Sequence, residues 1–91
     1  MKKFMIEREM PGVGGLGSDD LAGAAAKSCD ALRELAPRVQ WQYSYVAGDK
    51  TFCVYLAEDA SDVRKHSEIS GFPADTVNEI TGMIDPTTAD A

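Results

Sequence analysis

The chain contains a single histidine, His66, which follows Asp62 by four residues. Side chains at this spacing lie side by side on a helix, so the carboxylate and the imidazole can hold one cation together. One histidine with oxygen ligands suits borderline divalent ions such as nickel or zinc, but two ligands alone bind weakly. The pair predicts a metal site completed by neighbouring acidic residues or by a second copy of the chain. The position equally suits a histidine partly buried against the helix's apolar side near Val63 and Ile69, and the sequence leaves both interpretations open.

A second group of polar residues could line a pocket for a small organic molecule on one face of a sheet. Its members lie in the predicted strands: Glu7, Gln42, Ser44, Cys53 and Tyr55. No lysine or arginine stands clearly beside Cys53 to lower the pKa of its thiol, so the pattern does not support nucleophilic catalysis. Glu7 and His66 could act as acid and base only if both reached one cavity. The sequence therefore identifies no catalytic residue and favours a protein that is not an enzyme.

A literal G-x-G-x-x-G occurs at Gly12, Gly14 and Gly17, which is the spacing of a dinucleotide-binding fingerprint. Such a site needs the next strand to lie parallel beside the first, whereas here the next strand enters a hairpin. Asp19 and Asp20 would also place negative charge where the pyrophosphate should bind. We therefore interpret this glycine segment as a flexible connection that forms a turn rather than a nucleotide site.

The elements that must position these residues follow from hydrophobic spacing and from turn and cap residues. They are a strand at 4–10, a helix from Ser18 that ends at Pro37, two strands around the Gly48-Asp49 turn within 39–58, a helix at 59–70 closed by Gly71, and a strand at 77–84. Residues 77–84 would also suit a helix, but Thr81 and Gly82 favour a strand. The order is that of a ferredoxin-like split βαβ pattern.

Counting outward from the hairpin turn predicts which side chains share a face, since directly opposed residues point to the same side. Tyr45 then opposes Phe52, Tyr43 opposes Val54, and Trp41 opposes Leu56. We expect these six residues to form the face beneath the helices, with the polar group on the other face. The predicted fold is an α+β ferredoxin-like βαββαβ sandwich, with an antiparallel sheet and two helices on one face. It occupies residues 1–86 as a single domain, followed by a frayed tail at 87–91.

Composition limits the partners of the chain. A domain of 91 residues has little surface to bury, so we expect a homodimer, formed through the polar sheet face or its edges as a dimeric α+β barrel. The net charge of −6 argues against nucleic acid, and no segment approaches the roughly 20 apolar residues of a membrane span. Because the apolar run after Lys2 and Lys3 is too short for a signal peptide, and Cys29 and Cys53 lack C-x-x-C spacing, we expect a cytoplasmic protein with reduced thiols.

Features over nearly the whole chain carry a family resemblance: Arg8, Met10-Pro11, Trp41, Ser44-Tyr45, Asp49-Lys50, Cys53-Val54-Tyr55, His66, Gly71-Phe72-Pro73-Ala74 and Asp85-Pro86. With these features the chain resembles a family of small bacterial ferredoxin-like proteins, catalogued as a domain of unknown function and in part described as nickel-binding. The resemblance implies the fold, a dimer and surface metal binding, without an agreed activity or a ligand list. Ser67 stands where we would expect a small apolar residue.

The leading functional hypothesis is a non-catalytic cytoplasmic protein that binds and sequesters nickel through His66 and Asp62. The alternative is a small dimeric α+β-barrel enzyme or small-molecule-binding protein that uses the polar sheet face. If His66 is a ligand, metal affinity should fall as the pH drops through the imidazole pKa near 6.5, because a protonated ring has no lone pair to donate. Carboxylate ligands alone would keep their affinity down to about pH 5.

Overall fold

Four strands and two helices follow one another in the order βαββαβ in the computed structural model, which describes residues 1–90. They are β1 (Lys2–Glu9), α1 (Ser18–Leu35), β2 (Val39–Ala47), β3 (Lys50–Ala57), α2 (Ala60–Ser70) and β4 (Thr76–Ile80). The strands form one sheet in the order β2-β3-β1-β4, and every neighbouring pair is antiparallel. Both helices pack on the same face of this sheet. The predicted α+β ferredoxin-like arrangement is thus confirmed.

The second helix ends at Ser70 as predicted and begins one residue later than predicted, with Asp59 as its N-cap. The Asp59 carboxylate accepts a hydrogen bond from the backbone N–H of Ser61 at 3.0 Å, which satisfies one of the free donors of the first turn. Gly71 closes the helix with φ +77°, a left-handed conformation that favours glycine. The first helix differs slightly from the prediction, because Gly17 is its N-cap and Ser18 is already its first helical residue.

The hairpin register is as predicted near the turn and changes further out. Tyr45 pairs with Phe52 and Tyr43 with Val54, but Trp41 pairs with Tyr55 rather than with Leu56. A β-bulge between Trp41 and Tyr43 inserts an extra residue, Gln42, and so reverses the side to which Trp41 points. The Trp41 indole N–H donates to the Ser44 hydroxyl at 3.0 Å, which ties the two sides of the bulge together.

The helices cover the opposite face of the hairpin from the one we expected. The buried core is formed by Phe4, Ile6, Val39, Cys53, Tyr55, Ala57 and Val63. Tyr43 and Tyr45 lie on the open face, where 49% and 60% of their surface is exposed. Alternation shows which residues share a face but not which face the helices choose, because both faces of β3 are largely apolar. The first strand decides, since Phe4 and Ile6 pair with Tyr55 and Cys53 and share their side of the sheet.

The glycine segment after β1 is a turn, as predicted, and hydrogen bonds hold it against the hairpin instead of leaving it a flexible connection. A short 3₁₀ helix spans Val13–Gly15 and packs against the hairpin turn. The Gly14 N–H donates to the Gly48 carbonyl oxygen at 2.8 Å, and the Gly12 N–H donates to the Asp49 carboxylate at 2.9 Å. A Cβ atom on Gly14 would lie 2.6 Å from the Gly48 oxygen, so this approach requires glycine.

The last strand is shorter than predicted, since β4 ends at Ile80 and residues 81–85 are exposed coil. Pro86–Asp90 forms a 3₁₀ turn within the predicted tail, and residue 91 lies outside the described residues. None of the helices in residues 1–90 combines the length and the apolar character needed to cross a bilayer.

Candidate functional site

A partly open cavity of about 200 Å³ lies between the first half of α1, the loop after β1 and the helix-covered face of the sheet. Apolar side chains form most of its wall, among them Val13, Leu21, Ala24, Ala25, Trp41 and Phe72. Its polar groups come from Arg8, Ser28, Ser44, Thr51, Cys53 and Tyr55. A cavity of about 150 Å³ in a protein core can hold a benzene molecule, so this one is large enough for a small organic ligand.

The composition of α1 explains why the cavity forms at this end of the molecule. The first half of the helix faces the sheet with alanines and Ser28, which are too small to fill the space above the strands. The second half supplies Leu32 and Leu35, which pack against the apolar core. The helix therefore closes one end of the core and leaves the other end open.

Arg8 is a buried cation in the wall of this cavity, with 2% of its surface exposed. Its Nη1 donates to the Ser67 hydroxyl at 2.9 Å and to the Phe72 carbonyl at 3.3 Å, and also to the carbonyl of Pro73. Its Nη2 is buried and has no hydrogen-bond partner. We did not predict a site role for Arg8. The alternation of β1 carried the signal, because it places Arg8 on the same side as Phe4 and Ile6.

His66 is fully buried beside this cation and is not available to bind a metal ion from solvent. Its Nε2 lies 3.0 Å from the Ser28 hydroxyl, and its ring is 5.0 Å from that of Tyr55. Burial lowers the pKa of His66 from 6.5 to about 4, and the nearby charge of Arg8 acts in the same direction. The imidazole is therefore neutral at pH 7, and of our two interpretations the structure supports the packed histidine.

The carboxylate of Asp62 binds a different partner. Both of its oxygens accept hydrogen bonds of 3.0 Å from the guanidinium of Arg38, and this contact lowers the pKa of Asp62. Val63, His66 and Ser70 form the buried stripe of α2, whereas Asp62 lies at its edge. The structure thus does not assemble Asp62 and His66 into a metal site, and residues 1–90 contain no group of three or more histidine, cysteine or acidic side chains that could hold a metal ion.

The predicted polar pocket is divided between the two faces of the sheet. Ser44, Cys53 and Tyr55 line the cavity, but on the helix-covered face rather than the open one. Glu7 lies on the open face, where its carboxylate accepts from Lys50 Nζ at 2.7 Å. Gln42 is exposed at the bulge. We expected Ser44, Cys53 and Tyr55 on the open face of the sheet, and this was wrong because the helices cover their face of the hairpin.

The cavity wall also contains a buried thiol, that of Cys53, and a buried phenol, that of Tyr55. Cys53 is a free cysteine whose Sγ lies 3.6 Å from the Thr51 hydroxyl. Burial raises the pKa of the Tyr55 phenol above its ordinary value of 10, although the charge of Arg8 opposes this shift. At neutral pH the Tyr55 phenol is therefore a hydrogen-bonding and packing group.

Comparison with known proteins gives two matches and one negative result. The family model described as nickel responsive protein SCO4226-like matches residues 4–80, a range that includes β1 to β4 almost completely. A solved structure, described as the crystal structure analysis of SCO4226 from Streptomyces coelicolor A3(2), matches with a TM-score of 0.74 and 22% identity. The match covers 90% of this chain and 99% of that chain, and at this identity it shows a shared fold. No curated protein matches the chain.

The buried neutral state of His66 predicts a loss of stability in mild acid. Between pH 6.5 and about 4, the unfolded chain binds a proton at His66 that the folded protein does not bind. The free energy of unfolding should therefore fall as the pH falls, by about 2 kcal/mol between pH 7 and pH 5. Urea unfolding at the two pH values measures this difference.

The control is His66→Gln, which removes the only histidine of the chain. Its unfolding free energy should change by less than about 0.5 kcal/mol over the same pH range. The carboxylates whose pKa values are lowered, Asp59, Asp62 and Asp85, titrate below this range and do not contribute to it. An equal loss in His66→Gln and in the wild type would contradict the assignment.

Proposed function

The chain belongs to the family described as nickel responsive protein SCO4226-like, and for this member we propose a non-catalytic binding function in which the cavity under α1 holds a small organic molecule. The cavity itself is the observation that carries this proposal. It combines an apolar wall with a few polar groups, Arg8, Ser28 and Tyr55 among them. Sites for small molecules have this character, since the wall supplies affinity and the polar groups fix orientation.

The contact between Ser28 and His66 is the strongest argument for an enzyme, and its details speak against one. A serine hydroxyl 3.0 Å from an imidazole nitrogen resembles a nucleophile with its general base. However, a histidine with a pKa of about 4 is a weak base at neutral pH. Its Nδ1 also has no carboxylate or other hydrogen-bond partner to orient the ring. We therefore propose that this pair stabilises the core below the cavity.

Filling the cavity should weaken ligand binding. Benzoate and its neutral isostere benzamide serve as probes, and the backbone amide signals of Ala24, Ala25 and Ser28 report binding in a two-dimensional NMR titration. At least one probe should give saturable shifts. Ala25→Leu should weaken that probe at least tenfold because the larger side chain occupies the space, whereas Ala26→Leu, on the exposed side of α1, should leave its affinity unchanged.

Two results would contradict the binding function. One is that neither probe shifts these signals at any concentration that keeps the protein folded. The other is that Ala25→Leu binds the probe as tightly as Ala26→Leu does, since the probe would then occupy another surface.

Direct nickel binding is the second candidate, and the description of the family favours it. The net charge of −6 attracts cations to the surface of the protein. His66 is buried and Asp62 is paired with Arg38, so we propose that nickel binds exposed carboxylates, with ligands completed between two copies of the chain. Such a site would serve sequestration rather than catalysis.

Calorimetric titration of tag-free protein with nickel tests this second candidate. Affinity should change less than twofold in His66→Gln and should stay flat from pH 7 to about pH 5, because carboxylates with pKa values near 4 remain ionised. Absence of binding heat would remove nickel binding from the account. A tenfold loss of affinity in His66→Gln would instead show that His66 becomes accessible, contrary to its observed burial.

We also propose that the protein is a cytoplasmic homodimer that pairs through the open sheet face. Tyr43 and Tyr45 pack edge to face with their ring centroids 5.4 Å apart and remain exposed, and an exposed aromatic patch of this kind is typical of an interaction surface. Lys50 and Glu7 place both signs of charge on the same face, which suits self-association. Light scattering should give twice the chain mass of 9.8 kDa; a single-chain mass would contradict this pairing.

A further inference from the structure

Arg8 carries a positive charge into the core without an acidic partner. The ion pairs among residues 1–90 all join other residues, and none of them includes Arg8. Its Nη1 is held by neutral acceptors, a hydroxyl and two backbone carbonyls, while Nη2 has no acceptor at all. A buried charge is costly unless it is paired and fully hydrogen-bonded. The guanidinium therefore lacks both a counter-charge and one acceptor.

A ligand in the cavity could supply both the counter-charge and the missing acceptor. Arg8 lines it, and none of the other lining residues is charged at neutral pH. The sign of the charge in the cavity wall is thus opposite to that of the protein, whose net charge is −6. Ser28 and Tyr55 add hydroxyl groups to the same wall. An anionic group that enters would meet one cation and no carboxylate.

Resting on the proposed binding function, we infer that the ligand is a small amphipathic carboxylate whose anionic group binds at Arg8. Guanidinium groups bind carboxylates with short, charge-assisted hydrogen bonds, and Arg8 lines the cavity with a guanidinium whose hydrogen bonds to the protein are incomplete. The apolar body of the ligand packs among Leu21, Ala24 and Phe72. A volume of about 200 Å³ fits a ligand of roughly eight to ten non-hydrogen atoms, judged from the benzene held by a cavity of about 150 Å³.

Benzoate and benzamide differ in charge but not in shape, so their relative affinities isolate the contribution of Arg8. The NMR titration at pH 7 should give a Kd for benzoate at least tenfold lower than that for benzamide. Acetate, which lacks the apolar body, should bind at least tenfold more weakly than benzoate. Ala25→Leu should weaken benzoate, which places it in the cavity rather than on surface lysines.

Arg8→Met removes the charge and should lower the ratio of benzoate affinity to benzamide affinity at least tenfold. Arg64→Met, which removes an exposed arginine of α2, is the matched control and should change neither ligand. If Arg8→Met does not fold, as judged by circular dichroism, two other results decide the question: the preference of the wild type for benzoate over benzamide, and the weakening of benzoate by Ala25→Leu.

The outcomes separate this inference from the proposal beneath it. If benzoate and benzamide bind equally and both respond to Ala25→Leu, the cavity binds ligands but the carboxylate preference is overturned. If neither binds, the binding function itself fails and the inference fails with it. A tenfold preference for benzoate that persists in Arg8→Met would assign the preference to another cation and overturn the role of Arg8.

Discussion

A buried guanidinium connects the first strand of this protein to the end of its second helix and to the loop that follows. Arg8 reaches from β1 to the hydroxyl of Ser67 and to the carbonyls of Phe72 and Pro73. These contacts fix the loop that returns the chain to β4, and they position Phe72 as part of the cavity wall. The same charge helps to keep His66 neutral. The polar half of the core is therefore arranged around one cation, and its remaining unused donor defines what the cavity can accept.

The apolar half of the core is built differently, and the contrast explains why a chain of this size has a cavity at all. Leu32, Leu35 and Val63 pack around Val39 and the strands beneath them. Toward the N-terminal end of α1, alanines and Ser28 are too small to fill the cavity beneath the helix. The turn at Gly14 does not fill it either, because its backbone is hydrogen-bonded to the hairpin at Gly48. The side chains that line the cavity lack the dispersion contacts that a filled core would give them. A bound ligand would restore those contacts.

Local patterns in the sequence predicted the local features of the structure. The order of the elements, the closing of α2 by Gly71, and the hairpin register from the turn to Tyr43 were all predicted correctly. The bulge at Gln42 has no marker in the alternation of β2, which continues through it with polar residues at Gln40, Gln42 and Ser44. Which face the helices cover depends on the pairing of β1 with β3, a contact between distant parts of the chain.

The candidate site depended even more on distant contacts. Spacing along α2 placed Asp62 beside His66 but could not show that Arg38, in the turn just before β2, would bind the carboxylate. Likewise, the strand pattern selected Ser44, Cys53 and Tyr55 together but assigned them to the wrong side of the sheet. The alternation of β1 placed a charged residue, Arg8, on the same side as Phe4 and Ile6. The structure shows that Arg8 is buried there, at the centre of the site.

The central claim is that Arg8 holds its charge inside the core with a donor free for a ligand. The guanidinium NMR signals of arginine side chains, assigned with Arg8→Lys, test it most directly. Arg8 should give individually resolved, slowly exchanging NηH signals, and those of Nη2 should shift as benzoate saturates the cavity. The exposed arginines Arg33, Arg38 and Arg64 should show no such shift. Arg8 signals that exchange as rapidly as those of the exposed arginines, or that stay unchanged at saturation, would contradict the account.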